Sequence, residues 1–182
     1  MSLKNSTNKY GSISKLLHWT IALLFIVQFY LVYWTEYVLP KKSPLAEFYI
    51  DGLHKPIGIT ILCLAIFAVL WRLYNVKPKF PPLMREWEKG AAHSVHLLLY
   101  LTMFVMPITG FMMSVAAGYP PNYFGLYQFP MFIEKNKALS NALFEVHEIT
   151  SYIIIALVLV HTLAALKHHF IDRDSVLKRM LP

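Results

Sequence analysis

The chain has 182 residues, 57% of them hydrophobic and 15% charged, with a formal net charge of +7. It is too apolar for a water-soluble domain of this length, and a single cysteine, Cys63, excludes an intrachain disulfide. The basic excess reads as membrane topology and contact with anionic lipid, not as nucleic-acid binding.

Four stretches carry no charged residue: 16–35, 56–71, 90–133 and 149–166. A membrane-spanning helix needs about 20 apolar residues, and charges at its ends can snorkel to the headgroups. The third stretch is too long for one helix, and its second half, GYPPNYFGLYQFP, is dense in turn residues. The expectation is an all-α integral membrane four-helix bundle in one domain, 1–182, with helices at about 13–37, 52–74, 91–117 and 143–169.

The first helix carries His18 near its start. Its apolar run is about 20 residues long and lacks a small-residue cleavage site, so it is expected to stay in the membrane rather than act as a signal peptide. A loop over 38–51 with Pro40 and Pro44 follows. The second helix opens at His54, has Gly58 one turn later and Cys63 as a small apolar residue, and ends near Arg72. Arg72 is 18 residues, five turns, beyond His54 and shares its face. The basic, proline-rich link YNVKPKFPPLMREWEKG leads to the third helix, which opens with His93 and His96 and holds Pro107 and Gly110. Pro is tolerated in a membrane helix where neighbours satisfy the freed carbonyl, and Gly lets another surface approach closely. The aromatic loop 118–141 is expected at headgroup level.

The fourth helix, EVHEITSYIIIALVLVHTLAALKHHF, places His147 and His161 14 residues apart, within about 40° of one face and about 21 Å apart along the axis. His168 extends the same stripe. Glu145 and Glu148 suit a solvated helix N-terminus, and KHHFIDRD reads as a helix end meeting water.

Four spans put both termini on one side. That side would hold twelve of the Lys and Arg residues against five on the other, a net charge of +8 against −1. The positive-inside rule therefore places both termini in the cytoplasm.

Ionisable residues inside membrane helices are functional candidates by default. The histidines fall at two depths, from different helices, which suits bis-imidazole ligation of two stacked haem irons. One inner pair is His18 with His161 and one outer pair is His54 with His147. On depth alone His93 or His96 can replace an inner ligand. Cross-helix packing is the alternative role for the four deeper histidines, and interfacial polarity for His93, His96, His168 and His169. No C-x-x-C-H occurs, so the haem would be non-covalent, b-type. Arg72 can pair a haem propionate or a quinone headgroup.

The stretches YGSISKLLHW, LHKPIGI with Arg72 following, AAHSVHLLLYLTMFVMPITG, VHEITSY and HTLAALKHHFIDRDSVLKRM, spread over all four helices, resemble the bacterial dihaem cytochrome b561 family. The resemblance implies two non-covalent haem b groups, the inner held by His18 and His161 and the outer by His54 and His147. It further implies a quinone site, for ubiquinone or another quinone, near His96 and His168 on the cytoplasmic side of a bacterial inner membrane.

The family includes a superoxide oxidase that passes electrons from superoxide outside to ubiquinone. The expected function is electron transfer between an outer-side donor, with superoxide first among them, and the quinone pool. An outer side of net charge −1 does not attract an anion, although Lys41, Lys42 and Lys55 can form a local positive patch. One alternative is a membrane anchor serving a separate periplasmic redox partner. Another is a His-lined metal or proton transporter, against which stands the absence of Asp and Glu from all four uncharged stretches.

Overall fold

The computed structural model describes residues 2–181. Helix α1 (Ser12–Tyr37) is followed by a short helix α2 (Pro44–Glu47), a π-helical segment (Phe48–His54) and helix α3 (Lys55–Tyr74). Helix α4 spans Glu86–Ala117, strands β1 (Asn122–Tyr123) and β2 (Tyr127–Gln128) form a small antiparallel hairpin, and α5 spans Lys137–Phe170. Four of these stretches, Ser12–Tyr37, Pro44–Tyr74, Glu86–Ala117 and Lys137–Phe170, are long and apolar enough to cross a membrane.

Three helices begin earlier than the uncharged stretches suggest, because their first turns are polar but well capped. At α4 the Glu88 carboxylate accepts the Arg85 amide at 3.0 Å, and Glu86 and Glu88 lie at the positive end of the helix dipole. At α5 the Asn136 side chain accepts the Leu139 amide at 3.0 Å. The Ser43 hydroxyl does the same for Ala46 at 3.2 Å, and the helix that starts there continues without a break to Tyr74.

The π-helical segment has a local cause. Pro56 lacks an N–H, and its ring would press on the carbonyl four residues back. The helix widens just before it, and the Lys55 amide bonds to Ile50, five residues back. Gly52 lies in this segment, where a Cβ would come within 2.8 Å of the Phe48 ring.

At the other end of α4, Gly118 adopts φ +90°, and the Tyr119 amide returns to the Ser114 carbonyl at 2.9 Å, closing the helix in the left-handed turn that glycine favours.

The segments before α1 and after α5 meet the α3–α4 link at one end of the bundle, here the terminal end. There the Trp19 indole donates to the Met180 carbonyl at 2.8 Å, and Lys15 reaches the Leu181 carbonyl at 2.5 Å. The Lys79 amide donates to Thr7 at 2.8 Å, and Arg179 reaches the Lys79 carbonyl. The α1–α2 loop and the hairpin form the opposite, loop end.

Large apolar side chains point outward, among them Leu16, Ile26, Leu70, Val160 and Leu163. The buried set mixes Ile21, Leu31, Ile61, Ala65, Val115 and Ile154 with Gln28, Thr102, Thr109, Ser114 and Thr150. Apolar outside with polar groups inside suits a bundle solvated by lipid. Close backbone packing joins α4 to α5, α3 to α4 and α1 to α3. Helix α5 does not approach α1 or α3 comparably, so a looser seam separates α5 from the α1–α3 pair.

Candidate functional site: two histidine pairs

Histidines bridge that seam at two levels. Toward the loop end, His54, last residue of the π-helical segment, faces His147 of α5 with ring centres 6.2 Å apart and planes at 76°. Toward the terminal end, His18 of α1 faces His161 of α5 with ring centres 6.1 Å apart and planes at 58°.

Two imidazoles on opposite sides of one metal ion have ring centres about 6 Å apart, given metal–nitrogen bonds of about 2 Å. Both pairs have this separation, and each lies where the helices leave room between their backbones. The residues therefore fit a haem at each level.

The loop-end pair has defined support. His147 Nδ1–H donates to the Met106 carbonyl at 2.9 Å, with the Thr109 hydroxyl oxygen 3.2 Å away. A carbonyl can only accept, so Nδ1 carries the proton and Nε2 keeps its lone pair, the tautomer a metal ligand needs. Gly110 supplies the space, since a Cβ there would lie 2.8 Å from His147 Cε1. The Gln28 amide donates to the His54 carbonyl at 2.9 Å, tying α1 to the π-helical segment. His54 Nδ1 and Gln28 Oε1 are buried without a hydrogen-bond partner. Gly58 faces Gln28, whose amide nitrogen would lie 3.4 Å from a Cβ.

At the terminal end His96 of α4 also reaches His161, with ring centres 5.3 Å apart, and the Trp19 ring meets His18 edge-on at 5.3 Å. His18 and His96 are thus both neighbours of His161. One turn beyond His96, the Tyr100 ring lies 5.1 Å beneath the Arg72 guanidinium. Tyr10, just before α1, joins this polar region. Burial raises its phenol above the ordinary value, while Arg72 and Arg179 pull it back.

His168 is buried in another setting. Its Nδ1 lies 2.7 Å from Asp174 Oδ2 and 2.9 Å from Asp172 Oδ2. Lys167 beside it bridges Glu88 at 2.5 Å and Asp172 at 2.7 Å. The segment after α5 folds back onto its own helix, so KHHFIDRD is a closed network rather than a helix end dissolving into water. His93 is exposed and meets Phe80 edge-on at 5.1 Å, and His169 packs against Phe170 at 4.7 Å.

The sequence reading missed Gln28, Thr109 and the two aspartates. Gln28 had a signal, as the only side-chain amide in the first uncharged stretch. Thr109 had none, because its part depends on the carbonyl next to Pro107 and on the neighbouring helix.

The family model for prokaryotic cytochrome b561 matches residues 9–182. Cytochrome b561 homolog 2 of Escherichia coli (strain K12) is 34% identical, over 100% of this chain and 95% of that protein. Cytochrome b561 homolog 1 of the same organism is 27% identical, over 96% of this chain and 98% of its own length. The probable superoxide oxidase CybB of Yersinia pestis is 30% identical, over 96% of both chains. These likenesses run nearly end to end and include every helix that carries the paired histidines. Four apolar helices with imidazoles facing across their seam are the framework of a membrane electron carrier with b-type haem, and the chain belongs to the prokaryotic cytochrome b561 family.

Proposed function

We propose that the chain is a single-domain, two-haem cytochrome of a bacterial inner membrane that carries electrons between a donor at its loop end and a quinone at its terminal end. His18 and His161 would hold one haem iron, and His54 and His147 the other. His96, Arg72 and His168 would contact the quinone or a haem propionate. The terminal end is assigned to the cytoplasm, since twelve of the 17 Lys and Arg residues lie there.

The observation that carries this reading is the equal spacing, 6.1 and 6.2 Å, of two histidine pairs at two levels of one seam. Haem, when bound, supplies one-electron chemistry. The chain's own residues do the rest. The Met106 carbonyl holds the His147 proton on Nδ1, and apolar helix faces keep water away from both pairs. Arg72 offers a fixed cation at the terminal end. His168 is held in place at that end by the Asp172 and Asp174 carboxylates at its Nδ1.

For the donor we infer superoxide, on the likeness to the Yersinia pestis protein. A second reading, exchange with a separate redox protein docked at the loop end, is favoured by one observation. Two cations of the expected positive patch are compensated, Lys41 by Glu36 at 3.4 Å and Lys55 by Asp51 at 2.5 Å.

Reduced-minus-oxidised spectra and haem quantitation of the purified chain test the core of the proposal. Two b-type haems per chain are expected, and His147→Ala should lose one while leaving the other spectrally unchanged. Two haems of unaltered potential in that variant would overturn the ligand assignment. Superoxide-driven quinone reduction by the chain alone separates the first donor reading from the second.

A further inference from the structure

At the terminal end a cleft of about 380 Å³ opens between the segment before α1 and the segment after α5. Its walls are Asn8, Lys9, Lys15, Ser175, Lys178 and Arg179. Four of the six side chains are cations and none is acidic. Among the described residues, no carboxylate side chain lies within ion-pair distance of any of the four, whereas Glu88, Asp172 and Asp174 are gathered around Lys167 and His168, and Glu86 pairs with Lys89.

Two of the cations are held in place by backbone carbonyls. Lys15 reaches Leu181 at 2.5 Å, and Arg179 reaches Lys79 while its Nε donates to the Ser175 hydroxyl at 2.9 Å. Lys9 and Lys178 are exposed at the rim. Lys15 lies in the first turn of the first spanning helix, which puts the cleft at headgroup depth.

We propose that this cleft is a phosphate-binding site. Its ligand is a phosphate oxyanion at the membrane surface, met by Lys9, Lys15, Lys178 and Arg179, with Asn8 and Ser175 as neutral hydrogen-bond partners. A concentration of cations with no carboxylate side chain paired to them among the described residues suits an anion at a membrane edge, and a guanidinium beside three ammonium groups suits an oxyanion with several acceptor oxygens. Two sources carry this chemistry, the headgroup of an anionic phospholipid and a free phosphate ester. The location at headgroup depth favours the lipid. A lipid bound there would link the chain's two ends on the side that also carries Arg72 and Tyr10.

The test is native mass spectrometry of the purified, haem-loaded full chain in neutral detergent, titrated with phosphatidylglycerol, phosphatidylcholine or inorganic phosphate. Phosphatidylglycerol should bind in preference to phosphatidylcholine. Lys9→Gln/Lys15→Gln/Lys178→Gln should weaken it by about fivefold for each lysine removed, with the haem spectrum unchanged. Lys9→Gln/Lys178→Gln, which leaves the Lys15–Leu181 contact intact, should show a partial loss and serves if the triple variant does not accumulate. Inorganic phosphate that binds alone and displaces the lipid would assign the same site to a free ligand and keep the phosphate chemistry. Equal affinity for both lipids with no phosphate binding, or unchanged phosphatidylglycerol binding in both variants, would overturn the proposal.

Discussion

Gly110 and His147 make a contact that no other residue type at position 110 would allow. A β-carbon there would stand 2.8 Å from the imidazole, well inside van der Waals distance. Gly110→Ala should therefore push the ring off its hydrogen bond to Met106, at a cost of about 1–3 kcal/mol of the kind seen for overpacked cores. The expected outcome is loss or a shifted midpoint of one haem only, read by redox titration of the purified protein. Gln28→Leu keeps the bulk but removes the side-chain hydrogen bond that the His54 carbonyl accepts from α1. It should lower stability by about 1 kcal/mol and move the same midpoint in smaller measure. At this scale the sequence was informative wherever a residue stands out against its background. Eight histidines and a helical glycine are conspicuous in an apolar chain, and a spacing of 14 assigns two imidazoles to one face. The partners that orient them are backbone carbonyls and small hydroxyls on other helices, and nothing in their own spacing marks them.

At the scale of elements, the informative part is the entry to α3. The sequence predicts a start for this helix near residue 52, but it begins at Pro44 and widens over Phe48–His54. The widening lies directly before Pro56 and ends on His54, so it sets the direction in which that imidazole leaves the helix. A one-residue change of register turns a side chain by about 100°. Pro56→Ala restores the missing donor and removes the ring, so the segment should relax toward an ordinary α-helix and carry His54 away from His147. The expected outcome is an intact, membrane-inserted protein with one haem instead of two, checked by haem quantitation. Proline was legible in the sequence as a perturbation. That the chain would absorb it by widening rather than by a kink depends on the neighbours, including the Gln28 bond that anchors the widened turn to α1.

At the scale of the molecule, charge is partitioned between the two ends, and the loop end is nearly neutralised by local pairs. If superoxide is the donor, its approach there gains little from steering. Glu36→Gln with Asp51→Asn frees Lys41 and Lys55 and should raise the rate of superoxide-driven quinone reduction several-fold at low ionic strength. The gain should vanish as salt shortens the Debye length to about 10 Å and below. An unchanged rate at low salt would point to the second reading, in which a protein rather than a small anion delivers the electrons.

The loose seam between α5 and the α1–α3 pair also bears on how such a protein is made. Membrane helices insert first and associate later, driven by packing and by polar contacts rather than by expulsion of water. Here α1 and α3 have each other, α4 has α3, and α5 has α4, but no close backbone packing draws α5 across to α1 or α3 to complete the ring. At the terminal end the segment after α5 is tied to α1 through Trp19 and Lys15, so it is toward the loop end that closure is left to whatever joins the facing imidazoles. Newly inserted chains deprived of haem synthesis should therefore stay loosened toward the loop end and be cleaved there, and the supply of the prosthetic group, rather than translation, should set how much of the protein the cell retains.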